Sequence, residues 1–184
     1  RTDYGMSPKA AAFQLGLLGL FQFIPLALLT PVAGWAADRF ERRRVAIFAN
    51  MVDAGVALGL GLLTYHDALT LPLLFVLAAF HGVARVFVGP SMAAIAPNIV
   101  PPESLPRAIA LGSIAWQSAS VIGPAVGGLM YAQNAAGSYW MTVALLILSS
   151  ISIATVRPVF PPPMTEKKHP VRMMVEGMKY TFSE

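Results

Sequence analysis

The chain contains no cysteine, which excludes disulfides, zinc thiolates, iron–sulfur clusters and thiol nucleophiles. Its three histidines, His66, His81 and His169, are scattered. There is no His-Glu-x-x-His, no pair of catalytic carboxylates and no nucleophile elbow. The expectation is therefore a protein that is not an enzyme and uses neither metal nor cofactor. Charge is also scarce, at 12% of residues against about 25% in globular proteins. Hydrophobic residues make up 56% and the mean hydropathy is +0.63. A soluble domain of 184 residues needs a polar skin, and 13 basic and 9 acidic side chains cannot supply it. From Ala108 to Val156 the chain runs 49 residues without a charge. About 20 apolar residues cross a bilayer, so this stretch alone has room for two crossings and a turn. The fold class that follows is all-α, a polytopic transmembrane helix bundle in a lipid bilayer.

Five spans are expected, at about 11–37, 45–65, 71–97, 108–131 and 138–156. Together they form a bundle over 1–156. Pro25 and Pro31 fall inside the first, which membrane helices tolerate when neighbours re-satisfy the freed carbonyls. The links are short, and short links predict that sequential helices pack as antiparallel neighbours. A net charge of +4 would suit nucleic acid, but the basic residues lie between hydrophobic spans, where topology explains them and no nucleic-acid partner is expected.

Arg39, Arg42, Arg43 and Arg44 follow span one, Arg107 follows span three, and Arg157, Lys167, Lys168, Arg172 and Lys179 follow span five. Lysine and arginine are retained in the cytoplasm, so these segments are expected there and the N-terminus outside. The chain starts at Arg1 without a basic-then-apolar leader, which predicts a further helix ahead of it. Beyond Pro161-Pro162-Pro163, residues Val171, Met174, Val175, Met178 and Phe182 recur at helical spacing opposite Arg172, Glu176 and Lys179. This pattern predicts that 157–184 is a cytoplasmic linker carrying an amphipathic surface helix, on the way to further spans.

Three features carry chemistry. The first is Gly34-Trp35-Ala36-Ala37-Asp38-Arg39-Phe40-Glu41-Arg42-Arg43-Arg44 at the end of span one. A stop-transfer cluster accounts for the arginines but not for Asp38 four residues after Gly34. Glycine admits a neighbouring helix, and Asp38 can meet arginines or a helix N-terminus, forming a latch for a moving bundle. The second is Gly123-Pro124-Ala125-Val126-Gly127-Gly128, which reads as close helix packing about a proline bend. The third is the intramembrane set Arg85, Asp53 and His81. A buried Arg costs about 2.5–3.5 kcal/mol on insertion scales, so it should face a cavity or a partner. Asp53, about 12 Å into its span at 1.5 Å per residue, is the expected counter-charge. The pair reads equally as a substrate or proton site and as a structural ion pair. His81 lies one turn from Arg85 and joins the candidate site, although a lone His on an apolar helix is usually a packed, hydrogen-bonded group.

The first motif resembles the loop between helices two and three of the major facilitator superfamily, Gly-x-Leu-Ala-Asp-Arg-x-Gly-Arg-Lys. Gly34, Ala37, Asp38, Arg39, Arg42 and Arg43 match in register, while Ala36 replaces the Leu and Glu41 the second Gly. Gly123, Pro124, Gly127 and Gly128 resemble the core of the antiporter motif of that family's fifth helix, with Ala110 and Ala119 where the wider pattern has glycines. Arg85 followed by Gly89 is similar to a pattern of its fourth helix. Pro97, Val100, Pro101, Leu105 and Ala108, with Glu176-Gly177-Met178-Lys179-Tyr180, are similar to the bacterial exporter branch that includes the enterobactin exporter. The resemblance implies helices two to six of twelve, with helix one and the C-terminal six helices as missing partners. It further implies a multi-pass protein of the bacterial inner membrane that exports a small molecule, drug- or siderophore-like, in exchange for protons by alternating access. A facilitator or importer of the same fold, a membrane-embedded enzyme and a non-transporting adaptor are the competing readings.

Overall fold

A computed structural model describes residues 6–158. It contains five long helices: α1 (Pro8–Arg39), α2 (Arg42–Tyr65), α3 (Leu71–Ile99), α4 (Leu105–Gln133) and α5 (Ala135–Thr155). All five are long and apolar enough to cross a membrane. Four start about three residues ahead of the expected stretch, because prolines and caps, not hydropathy, set where a helix begins. Ser7 accepts a hydrogen bond from the Ala10 amide with Pro8 in the first turn, and Asn134 accepts from the Gly137 amide. The three arginines that open α2 are likewise inside the helix. At the other end of α3 the helix continues through Pro97 to Ile99 before a single 3₁₀ turn, Pro102–Ser104. Between α2 and α3 the chain reverses at Asp67, whose φ of 53° is left-handed, a conformation aspartate tolerates better than most residues. The amphipathic helix expected around Val171 to Phe182 lies outside the described residues.

The bundle is not laid out in chain order. α2 packs along α5 and α3, and α1 packs along α3, while α1 barely touches α2 and α4 leans lightly on α5 and α3. This corrects the expectation from link length: short links limit how far apart helices are, but close packing decides which ones lie together. Between membrane helices there is little hydrophobic drive, so small residues that let backbones approach set the neighbours. Gly82 is the clearest case, since a Cβ built there would collide with the backbone carbonyl of Gln22 on α1. Phe21 and Phe75 stack beside that crossing with centroids 4.9 Å apart. On α2, Gly61 sits under Tyr139 and Trp140 of α5, and Gly59 under Leu77 of α3. The buried face of α2 is largely alanine, including Ala46, Ala49, Ala54 and Ala57. Asn50 adds a hydrogen bond to Ser149 of α5 at 3.1 Å.

By contrast α4 buries none of its residues, and Ile114, Trp116, Val121 and Leu129 stand well exposed. Such a surface would drive aggregation in water but is ordinary against lipid or further helices. The chain is a multi-pass membrane protein.

Candidate functional site

The intramembrane polar centre lies where α1, α2, α3 and α5 meet. Asp53 stands at the middle of the 24-residue α2. Its Oδ1 is 2.6 Å from Nδ1 of His81 on α3, and both side chains are part-buried. With Asp53 ionised, the imidazole N–H donates to it. This corrects the expected pairing of Asp53 with Arg85. Arg85, one turn further along α3, is exposed and makes no ion pair among the described residues. His81 is indeed a hydrogen-bonded histidine, but its partner is the only charge that α2 carries into the membrane interior.

Both side chains line a cavity of about 340 Å³. Leucine, valine and alanine form most of its wall, and Gln22 from α1 with Tyr139 and Thr142 from α5 add the remaining polar atoms. Gln22, Tyr139 and Thr142 are not among the residues that the sequence marks. Uncharged polar residues inside an apolar span were the available signal, but with no charge to mark them their convergence depends on helix packing. Among the described residues no three metal-ligating side chains come together.

The Gly34–Arg44 segment is organised around a different acid from the one expected. Glu41 is buried, and its carboxylate pairs with Arg44 at 2.6 Å and with Arg43 at 2.9 Å. The Arg43 contact is charge attraction without hydrogen-bond alignment. Arg43 instead aims its Nη1 at the end of α5, donating to the carbonyls of Ala154 (3.2 Å) and Val156 (2.8 Å). A helix C-terminus leaves carbonyls unpaired and carries partial negative charge, so a guanidinium is a fitting cap. Arg39 lies over the Trp35 ring at 5.3 Å, and Arg42 is engaged as well. Asp38 is exposed and forms no ion pair among the described residues, and a Cβ added at Gly34 would meet nothing. The arginine contacts expected of Asp38 are therefore made by Glu41. An acid three residues before Arg44 was a readable signal for an i,i+3 pair.

The Gly123–Gly128 motif is solvent-accessible along its length. Cβ atoms added at Gly123, Gly127 or Gly128 would meet no neighbour, so the close packing expected of these glycines does not occur among the described residues. Gly123 and Gly127 instead floor a groove of about 540 Å³ between α4 and α5.

Comparison with known proteins completes this picture. A profile of the Major Facilitator Superfamily matches residues 1–177. The chain belongs to that superfamily. Macrolide efflux protein A of Streptococcus pyogenes is 24% identical over 161 residues, covering 84% of this chain and 38% of that protein. The protein of the same name from Enterococcus faecalis is 24% identical over 156 residues, covering 81% of this chain and 46% of that protein. Enterobactin exporter EntS of Escherichia coli O1:K1 is 27% identical over 153 residues, covering 83% and 36%. The chain thus spans less than half the length of these relatives. Macrolide efflux and enterobactin export are what those relatives are named for.

Proposed function

We propose that this chain forms part of the N-terminal half of a secondary active exporter, which moves a small molecule out of a bacterial cell in exchange for protons by alternating access. The observation that carries the reading is the Asp53–His81 pair inside an apolar cavity at mid-membrane. A proton-titratable pair is costly there and is retained where charge must move. Superfamily membership supports rocking of two six-helix halves about a central site, with the missing helices closing this cavity. The distribution of Lys and Arg supports an inner-membrane protein with Arg39–Arg44 and residues 157–184 in the cytoplasm.

In this mechanism Asp53 and His81 exchange the coupling proton, while Arg85 biases the charge of the pathway from its edge. Asp38, left unpaired within this part, is the cytoplasmic latch toward the absent half. Arg39 is held by Trp35, and Arg43 is anchored on α5. Gly123, Pro124, Gly127 and Gly128 present a smooth face against which an absent helix closes the outer side.

The test is to express the native protein in an efflux-deficient bacterium and challenge it with a panel of cationic, neutral and anionic compounds. Increased tolerance to at least one compound, abolished by a protonophore, is expected. Tolerance that survives the protonophore would replace antiport with facilitated diffusion. No increased tolerance to any compound would overturn export.

A further inference from the structure

Resting on the cytoplasmic placement of Arg39–Arg44 proposed above, and independent of export, the junction of α1 and α2 has a ligand chemistry of its own. We propose that the cleft there binds an anionic phospholipid of the cytoplasmic leaflet. Arg39 and Arg44 hold its phosphodiester, and an acyl chain lies along the aromatic wall beside them.

The cleft follows from how the helices pack. α1 and α2 barely touch, while α3 packs along both of them and contributes Phe87. The space left measures about 430 Å³. Arg39, Glu41 and Arg44 supply its polar rim, and Phe40, Phe48 and Phe87 belong to its apolar wall. Phe48 lies six residues beyond Arg42, the first residue of α2, or about 9 Å at 1.5 Å per residue. The wall therefore runs from the charged end of the helix toward the hydrocarbon.

The rim suits an anion. Residues 38–44 carry four arginines against two acids, a net charge of +2. Glu41 does not oppose an incoming phosphate, because its side chain is only 4% exposed and its charge is matched by Arg43 and Arg44. Arg44 is fixed through Nε at 2.6 Å, which leaves its Nη donors on a side chain that is 79% exposed. Arg39 is placed by the Trp35 ring and is exposed as well. No side chain caps the first turn of α2, so the positive end of its dipole adds to the rim.

The wall selects a lipid over a soluble anion. A free phosphate would use the guanidiniums and leave Phe40 and Phe48 bare, although both rings stand well exposed. An acyl chain covers them. Aromatic rings and a basic cluster at the end of a span are the pattern of a cleft that faces anionic headgroups. A zwitterionic headgroup brings its own cation against the arginines and is disfavoured.

The test is native mass spectrometry of the native protein, purified in detergent and titrated with phosphatidylglycerol or phosphatidylcholine of identical acyl chains. One arginine near a bilayer surface is worth about a fivefold preference for anionic lipid, so phosphatidylglycerol should bind at least about fivefold tighter. The double variant Arg39→Gln, Arg44→Gln should lose that preference. Arg107→Gln, at an exposed basic residue outside the cleft, should keep it. Phe48→Ser should weaken phosphatidylglycerol several-fold, and excess inorganic phosphate should not displace the lipid. The comparison of the two lipids needs no variant, so a misfolded variant leaves it readable. Equal binding of the two lipids would mean that protein covers the cleft and would overturn the proposal. An unchanged preference in the double variant, or displacement by inorganic phosphate, would overturn it too. The cytoplasmic placement is read separately, with Asp38→Cys in a background free of other cysteines. Labelling of that cysteine in intact cells by a membrane-impermeant maleimide would remove the leaflet assignment, whatever the titration shows.

Discussion

Arg43, in the first turn of α2, reaches across to the last turn of α5 and donates to the carbonyl of Val156 at 2.8 Å. The two residues are 113 positions apart, so this contact ties the loop after α1 to the point where the chain leaves the bundle. Hydrogen bonds from charged donors contribute about 1.5–3 kcal/mol, less where water competes. Arg43→Gln should destabilise the purified protein by about 1–2 kcal/mol. The check is the melting temperature in detergent, which should fall by several degrees, while the equivalent change at exposed Arg44 should move it less.

Glu41 and Asp38 should separate stability from transport. The buried Glu41 carboxylate faces two guanidiniums, so Glu41→Gln should cost about 1–3 kcal/mol and lower the amount of folded protein. Asp38→Asn, at an exposed position, should leave protein level and melting temperature unchanged but reduce transport. Transport by Asp38→Asn at the native rate would remove the latch role.

Gly82 and Gly127 should differ sharply in tolerance. A methyl at Gly82 collides with Gln22, so Gly82→Ala should destabilise by about 1–3 kcal/mol, the usual range for overpacking. Gly127→Ala meets nothing within this part of the protein and should leave its helix packing unchanged. Melting curves of the two variants side by side decide the matter.

Arg85 is exposed on α3 without an ion pair among the described residues, at a depth where a lipid-facing guanidinium would be costly. On the proposed exporter reading it faces the transport pathway. Arg85→Gln should therefore insert normally and lower transport several-fold. Transport equal to native would assign it to the lipid boundary.

Much of this architecture was legible in the residues, and the reasons are physical. A charge-free run from Ala108 to Val156 has few outcomes other than membrane helices, and Asp38-Arg39 between two spans is a specific marker. Helix adjacency was not legible. Link length could not show that α1 lies on α3, because that depends on where Gly82 meets Gln22 in space. The pairing of Asp53 was not legible for the same reason: His81 and Arg85 lie one turn apart on α3, and which of them meets Asp53 is set by how α2 packs along α3. Glu41 looked like a departure from the family loop pattern, yet burial makes it the centre of the arginine cluster.

Proton exchange at the Asp53–His81 pair is the central claim, and substrate-evoked proton movement tests it most directly. In everted membrane vesicles carrying the native protein and an imposed acid interior, adding a transported compound should dissipate part of the pH gradient, as read by an acridine dye. Vesicles carrying Asp53→Asn should show no such response. A compound transported by the native protein without any proton movement, or an Asp53→Asn response equal to native, would contradict the account.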